Sequence, residues 1–156
     1  MRREPRLLAL VLALAAATTT AACKRDREPA PPAGAAANAP PPPLAGGPFY
    51  RVDVGPQTPC TAGAPCEARL VLTALGAFHV NKEYPFKFVG EPTPGLLVEG
   101  TGSFALDDAK SGTLTIRYRA ARSGRARFTG RFKLSVCDPD RCEIEQPKIE
   151  FELPVG

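Results

Sequence analysis

A single histidine, His79, serves all 156 residues, and no serine or cysteine stands near it in a catalytic spacing. One imidazole without partners makes neither a Ser–His triad nor a histidine metal site, so His79 reads as a strand residue beside the core. HExxH, GxSxG and a glycine-rich phosphate loop are missing too. Metalloprotease, serine hydrolase and nucleotide-binding chemistry therefore have no motif to rest on, and no cofactor is implied. No stretch carries a helical period. After the first apolar run there is no second one long enough to enter a bilayer. Strong charge is also lacking. Without residues 1–22 the chain keeps 17 Lys plus Arg against 15 Asp plus Glu, a net of +2 against +4 for the whole. That balance gives no argument for a nucleic-acid partner.

What is present begins with a leader. Arg2, Arg3 and Arg6 precede an apolar run from Leu7 to Ala17, too short to span a membrane and typical of a secretory signal peptide over 1–22. Its end, Thr20-Ala21-Ala22-Cys23, resembles the lipobox of bacterial lipoproteins. That resemblance implies cleavage before Cys23, lipidation of its thiol and a firm membrane anchor through two or more acyl chains. Lys24, in place of the Asp that retains lipoproteins in the inner membrane, favours the outer membrane with the domain facing the periplasm. Residues 23–48 then form a tether: Lys24 to Pro48 holds eight prolines and seven alanines, with Leu44 as its one large aliphatic residue. A stretch of this kind favours polyproline II at about 3.1 Å per residue.

Residues 49–156 suit one small domain, and their pattern has period two. Leu114, Ile116, Tyr118 and Ala120 alternate with Thr113, Thr115, Arg117 and Arg119. After Ser123-Gly124, Ala126, Phe128, Phe132, Leu134 and Val136 alternate with arginines and Lys133. These two strands read as a hairpin. Further strands are expected at Phe49–Val54, Ala68–Ala74, Phe78–Asn81, Phe86–Val89, Leu96–Glu99 and Ile149–Leu153, with Gly and Pro between them. Asp107-Asp108 reads as part of a turn, not as a carboxylate pair for hydrolysis. Seven or eight short strands in about 100 residues predict an all-β, immunoglobulin-like antiparallel sandwich.

Four further cysteines fall into two close pairs, Cys60/Cys66 and Cys137/Cys142. In an oxidising compartment they default to disulfides, and the local pairing fits both spacings. A four-cysteine zinc site would show C-x2-C knuckles, which neither pair has. Closing such short loops is worth only about 2 kcal/mol each, so each bridge holds a turn and not the domain. Asp138-Pro139-Asp140 supplies turn chemistry for a hairpin between Cys137 and Cys142, which is either an inert staple or a redox pair. Strand parity places Cys137 outward and aligns Cys142 with an inward Ile144. A bulge is therefore expected, with Gln146-Pro147 as the place for the shift.

The segments Phe78-His-Val-Asn-Lys-Glu-Tyr-Pro85 and Phe132-Lys-Leu-Ser-Val-Cys-Asp-Pro-Asp-Arg-Cys142, followed by an acidic-hydrophobic strand, resemble the N-terminal periplasmic domain of the disulfide reductase DsbD. The resemblance implies an immunoglobulin-like sandwich that relays electrons to periplasmic thiol–disulfide partners, with Cys137 and Cys142 in the places of the active pair. In that family an aromatic cap loop shields the pair; here Gly100-Thr-Gly-Ser-Phe104 offers only Phe104 for the role. Electrons would arrive from a separate protein.

Six arginines, Arg117, Arg119, Arg122, Arg125, Arg127 and Arg131, occupy 15 residues without an acid. On a hairpin, Arg117, Arg119, Arg125, Arg127 and Arg131 would share one face, a candidate site for lipid phosphates or an acidic partner. The alternative is a solvated face paired with Glu143, Glu145, Glu150 and Glu152. The functional expectation is an envelope lipoprotein presenting a sandwich that binds a protein, lipid or wall component. Its alternative is a thiol–disulfide carrier using Cys137 and Cys142.

Overall fold

The computed structural model describes residues 41–156. The leader, Cys23 and the tether as far as residue 40 lie outside the described residues. The strands are β1 (Ala45–Gly46), β2 (Tyr50–Val54), β3 (Cys66–Ala74), β4 (His79–Val80), β5 (Lys87–Gly90), β6 (Leu96–Leu106), β7 (Ser111–Ala120), β8 (Gly124–Cys137), β9 (Cys142–Glu145) and β10 (Lys148–Val155). One sheet runs β1-β2-β3-β7-β6. In the other, β8 is central, with β9 and β10 along one edge and β4 and β5 along the other. All pairings are antiparallel.

The expected sandwich is present. Counting β4 with β5 and β9 with β10 as interrupted single strands gives eight. The order β2-β3-β7-β6 against β10-β8-β5 is the A-B-E-D against G-F-C order of a constant-type immunoglobulin sandwich.

Alternation builds the core. Inward Leu70, Leu72, Leu114 and Ile116 of the first sheet face Phe128, Phe132, Leu134 and Ile149 of the second, all essentially without solvent contact. Each such side chain contributes about 1.5–3 kcal/mol by leaving water. Phe128 lies edge-on to Tyr118 at 4.9 Å and stacks on Phe151 at 4.5 Å.

That Tyr118–Phe128 contact corrects the expected hairpin. Strands β7 and β8 do not pair; they belong to different sheets and meet through their inner faces. Residues 121–123 carry the chain across the end of the sandwich, and Gly124 takes a positive φ of 120° at the crossing. A connection of this length serves a sheet change as well as a hairpin. Alternation shows that a strand is half buried, not which strand lies beside it.

A second correction concerns the end of the chain. Leu134↔Glu145 in β8–β9 and Arg131↔Lys148 in β8–β10 belong to one unbroken register, and the Phe132 N–H donates to the Pro147 carbonyl at 3.1 Å between them. No bulge occurs at Gln146-Pro147. Ile144 instead pairs with Ser135 and points outward, 61% exposed. Glu143 and Glu145 take the inward positions where the sandwich ends, and Glu143 is held there by Arg141 at 3.2 Å.

Two other boundaries move. The Leu44 N–H donates to Val52, and Ala45–Gly46 pairs with β2, so the sheet begins inside the expected tether. Strand β6 runs past Glu99 to Leu106 through a bulge at Gly100–Gly102, where both glycines have positive φ (71° and 84°). Asp107-Asp108 forms the turn between β6 and β7, with the Asp108 carboxylate accepting from the Lys110 and Ser111 N–H groups.

Gly130 faces inward on β8, where an added Cβ would lie 2.5 Å from the Val89 carbonyl oxygen and 2.6 Å from the Phe88 ring. Gly130→Ala is expected to destabilise the domain by about 1–3 kcal/mol through overpacking, whereas Arg127→Ala on the outer face changes stability by less than about 0.5 kcal/mol. Urea unfolding of the two variants checks this.

Candidate functional site at the β8–β9 hairpin

Both cysteine pairs are disulfides, and they occupy opposite ends of β8. Cys60–Cys66 lies at the end where Val155 meets Gly124; both residues are buried, at 7% and 8% exposure. Its loop is tied down by backbone bonds from Ala62 N–H to Gly156, from Gly63 N–H to Ala120 and from Gly156 N–H to Cys60. This bridge pins the start of β3 to the ends of β7 and β10. It is architecture.

Cys137–Cys142 sits at the other end. The two residues are direct partners across β8 and β9, with Cα atoms 4.0 Å apart. Their Cβ atoms share the outer face, because Val136 and Leu134 point inward. Exposure is unequal: Cys137 is buried at 7%, whereas Cys142 is exposed. His79 of β4 is the partner of Cys137 on the other side, placing the imidazole on the same face. His79 is thus a strand residue as expected, though on the outer surface.

The turn is built by Asp138. Its Oδ1 accepts from the Asp140 N–H (2.9 Å) and the Arg141 N–H (2.8 Å), and its own N–H donates to the Arg141 carbonyl (2.9 Å). These two N–H groups hold the Asp138 carboxyl below the usual aspartate range, with smaller help from the charges of Arg141 and His79. Arg141 reaches back over the ring of Phe49 (5.3 Å) and lies 6.0 Å from that of Phe78, two rings that pack on each other at 4.5 Å. The hairpin is thereby clamped to the end of the sandwich.

Beneath the outer face, Asn81 donates from Nδ2 to the buried Ser135 hydroxyl at 3.3 Å. The turn at Asn81–Phe86 displaces β5 from the register of β4 and buries Ser135. Sequence reasoning did not find the Arg141 clamp or the Asn81–Ser135 bond. The first is a contact with residues far along the chain. The second depends on the interruption between β4 and β5.

Phe104 is not a cap over the disulfide. Its ring stacks on Phe86 at 3.8 Å and closes the core between the sheets. Among the described residues, no three of His, Cys, Asp or Glu converge in a way that would hold a metal ion.

The arginines do not share one face. Arg117 and Arg119 stand on the outer face of the first sheet, while Arg125, Arg127 and Arg131 stand on the outer face of the second, on the far side of the sandwich. Arg119 pairs with Glu99 (2.9 Å), Arg125 with Glu152 (2.6 Å) and Arg127 with Glu150 (3.5 Å); Arg131 donates to the Gln146 carbonyl. Lys148 also engages Glu150, which lowers the Glu150 carboxyl and raises the Lys148 ammonium.

Comparison with family models, curated proteins and solved structures returns no match.

Two outcomes follow for charged groups. The bonds to Asp138 are present above its unfolded pKa of about 3.9 and are lost as pH falls through the lower folded value. Amide exchange at Asp140 and Arg141 should therefore accelerate below about pH 4, after intrinsic rates are allowed for, and be already fast at neutral pH in Asp138→Ala. With the arginines divided between two faces, and Arg125 and Arg127 already paired with Glu152 and Glu150, the protein carrying Arg125→Glu and Arg127→Glu should partition onto anionic vesicles as the unmodified protein does, measured by co-sedimentation.

Proposed function

We propose that this chain is a lipid-anchored lipoprotein of the bacterial envelope whose sandwich serves as an accessory module for thiol–disulfide exchange through Cys137–Cys142. The observation that carries the reading is the contrast between the bridges. One is buried on both sides and tied into three strand ends, while the other stands on an outer face with Cys142 exposed. Reactivity of a disulfide follows access to the sulfur attacked and the quality of the leaving thiol. The leader ending at Cys23, and the likeness of the hairpin sequence to the DsbD domain, support the compartment and the chemistry.

In the exchange step a partner thiolate attacks Sγ of Cys142. A partner–Cys142 disulfide forms, the Cys137–Cys142 bond breaks, and Cys137 leaves as a thiolate. In this reading His79, the cross-strand neighbour of Cys137 on the same face, would be the side chain to hydrogen-bond the released sulfur. A second partner thiolate then attacks the partner's own sulfur in the mixed disulfide and releases Cys142. The partner dithiol is oxidised, this pair is reduced, and two electrons and two protons pass between them. The reverse sequence delivers the electrons onward.

The test is a redox titration of the full-length protein against glutathione, with each bridge followed by mass spectrometry of alkylated cysteines. Cys137–Cys142 is expected to equilibrate above about −300 mV and Cys60–Cys66 below it. Cys137→Ser should trap a partner on Cys142, whereas Cys142→Ser should trap much less. A hairpin bridge that also lies below about −300 mV would falsify the exchange reading and leave a staple.

A further inference from the structure

Strand β9 has one partner among the described residues, β8, and its other edge is open. The bond from Asp138 N–H to the Arg141 carbonyl fixes the alternation along this ladder, and the Phe132–Pro147 bond continues it. Cys137/Cys142 and Ser135/Ile144 are therefore the non-hydrogen-bonded pairs. The backbone N–H and C=O groups of Cys142 and Ile144 consequently point away from β8, along the open edge. Exposed edges of this kind are ordinarily blunted by charge or proline. Strand β10, the continuation of the same edge, is blunted in that way. Its corresponding positions are Lys148, Glu150, Glu152 and Pro154, three charged side chains and a residue without an N–H. On β9 the same positions are Cys142 and a 61% exposed Ile144.

We infer that β9 is a strand-addition site for an extended, cysteine-bearing segment of a partner protein with basic residues flanking its cysteine. The geometry fits the exchange step. A residue added opposite Cys142 on the open edge would form a hydrogen-bonded pair with Cα atoms about 5.5 Å apart. That spacing lies within the range of about 4.4–6.8 Å found across disulfides, with both Cβ atoms on one face. Strand addition thus sets the partner's sulfur beside Cys142 by backbone bonds alone, and the exposed Ile144 offers an apolar contact two residues on.

Charge selects the occupant. From Asp138 to Glu145 the hairpin carries Asp138, Asp140, Glu143 and Glu145 against Arg141. A second copy pairing β9 with β9 would set these acids against one another, and like charges across a ladder are destabilising. The chain's own stretch from Lys24 to Pro43 contains seven prolines, each without the N–H a ladder needs. A basic segment from another protein meets neither obstacle.

This inference rests on the exchange reading for its purpose, and its test is separable from it. The probe is a synthetic peptide of alternating Val and Thr with Lys at both ends and a central Ser in the cysteine position. It is titrated against the oxidised full-length protein by fluorescence anisotropy and amide exchange. The Lys peptide is expected to slow exchange at Cys142 and Ile144. It should bind at least about tenfold more tightly than one N-methylated at the amides facing β9, as the loss of two backbone hydrogen bonds requires, and more tightly than a Glu-ended peptide, whose ends face the acids of the hairpin. Ile144→Pro, which removes one N–H pointing away from β8, should weaken binding by about half as many powers of ten while leaving reduction of Cys137–Cys142 by dithiothreitol unchanged. Equal binding of the N-methylated peptide, or protection at other amides, overturns strand addition even if the bridge equilibrates in the exchange range. Loss of the exchange range with peptide binding intact overturns the chemistry and keeps the docking edge.

Discussion

Strand β8 is the constraint on which the rest of the second sheet depends. Each described strand of that sheet, β4, β5, β9 and β10, takes its register from β8. Its inner face supplies Phe128, Phe132, Leu134 and Val136 to the core. Because side chains alternate with period two, burial of those four fixes every other residue on β8 as outward. Cys137 is outward for this reason, and its partner Cys142 must follow. The placement of the candidate redox pair is thus a consequence of how the rest of β8 packs.

The alternating strands were legible in the sequence because burial of one face leaves a local signature. Leu114 to Ala120 and Ala126 to Val136 are strands where expected, and the Asp107-Asp108 and Asp138-Pro139-Asp140 turns do what their side chains suggest. Pairing was not legible. It is decided by contacts distant along the chain, so a sheet-crossing at residues 121–123 looked like a hairpin turn. Ile144 misled for a related reason. An isoleucine is read as inward, but β9 lies where the sandwich is ending. There the inward positions go to Glu143, paired with Arg141, and Glu145, and the apolar residue is left on the surface. The expected bulge was needed only to reconcile an inward Ile144 with the cysteines, and with Ile144 outward the register runs straight through.

The arginine cluster shows the same limit. Six cations in 15 residues imply an anion site only if they share a surface. Five of them divide between opposite faces, and three of those, Arg119, Arg125 and Arg127, meet acids from neighbouring strands, which converts a concentrated field into exposed ion pairs. Such pairs add little stability individually, commonly between about 0 and 1 kcal/mol. Their greater effect is on solubility and on the edges: Glu150 and Glu152 answer the arginines of β8 and at the same time guard β10 against foreign strands.

On β9, four residues long, charge stands only at the inward Glu143 and Glu145, and the outward positions carry Cys142 and Ile144. If protection of the edge were the sole demand on this surface, a Lys or Glu at position 144 would serve it without disturbing the core, since the side chain already points to solvent. The residue present is instead apolar, two positions from an exposed half-cystine, and its free N–H and C=O are turned to the same side. Cys60–Cys66, a bridge of similar loop length, is buried and braced by three strand ends. Two short disulfides in one small domain have therefore been given opposite environments. Compact packing accounts for the buried one. For the other, packing accounts for the outward face of Cys137 and Cys142 but not for the apolar Ile144 on the outward side of the open edge beside them, and that residue is what the proposed incoming strand would cover.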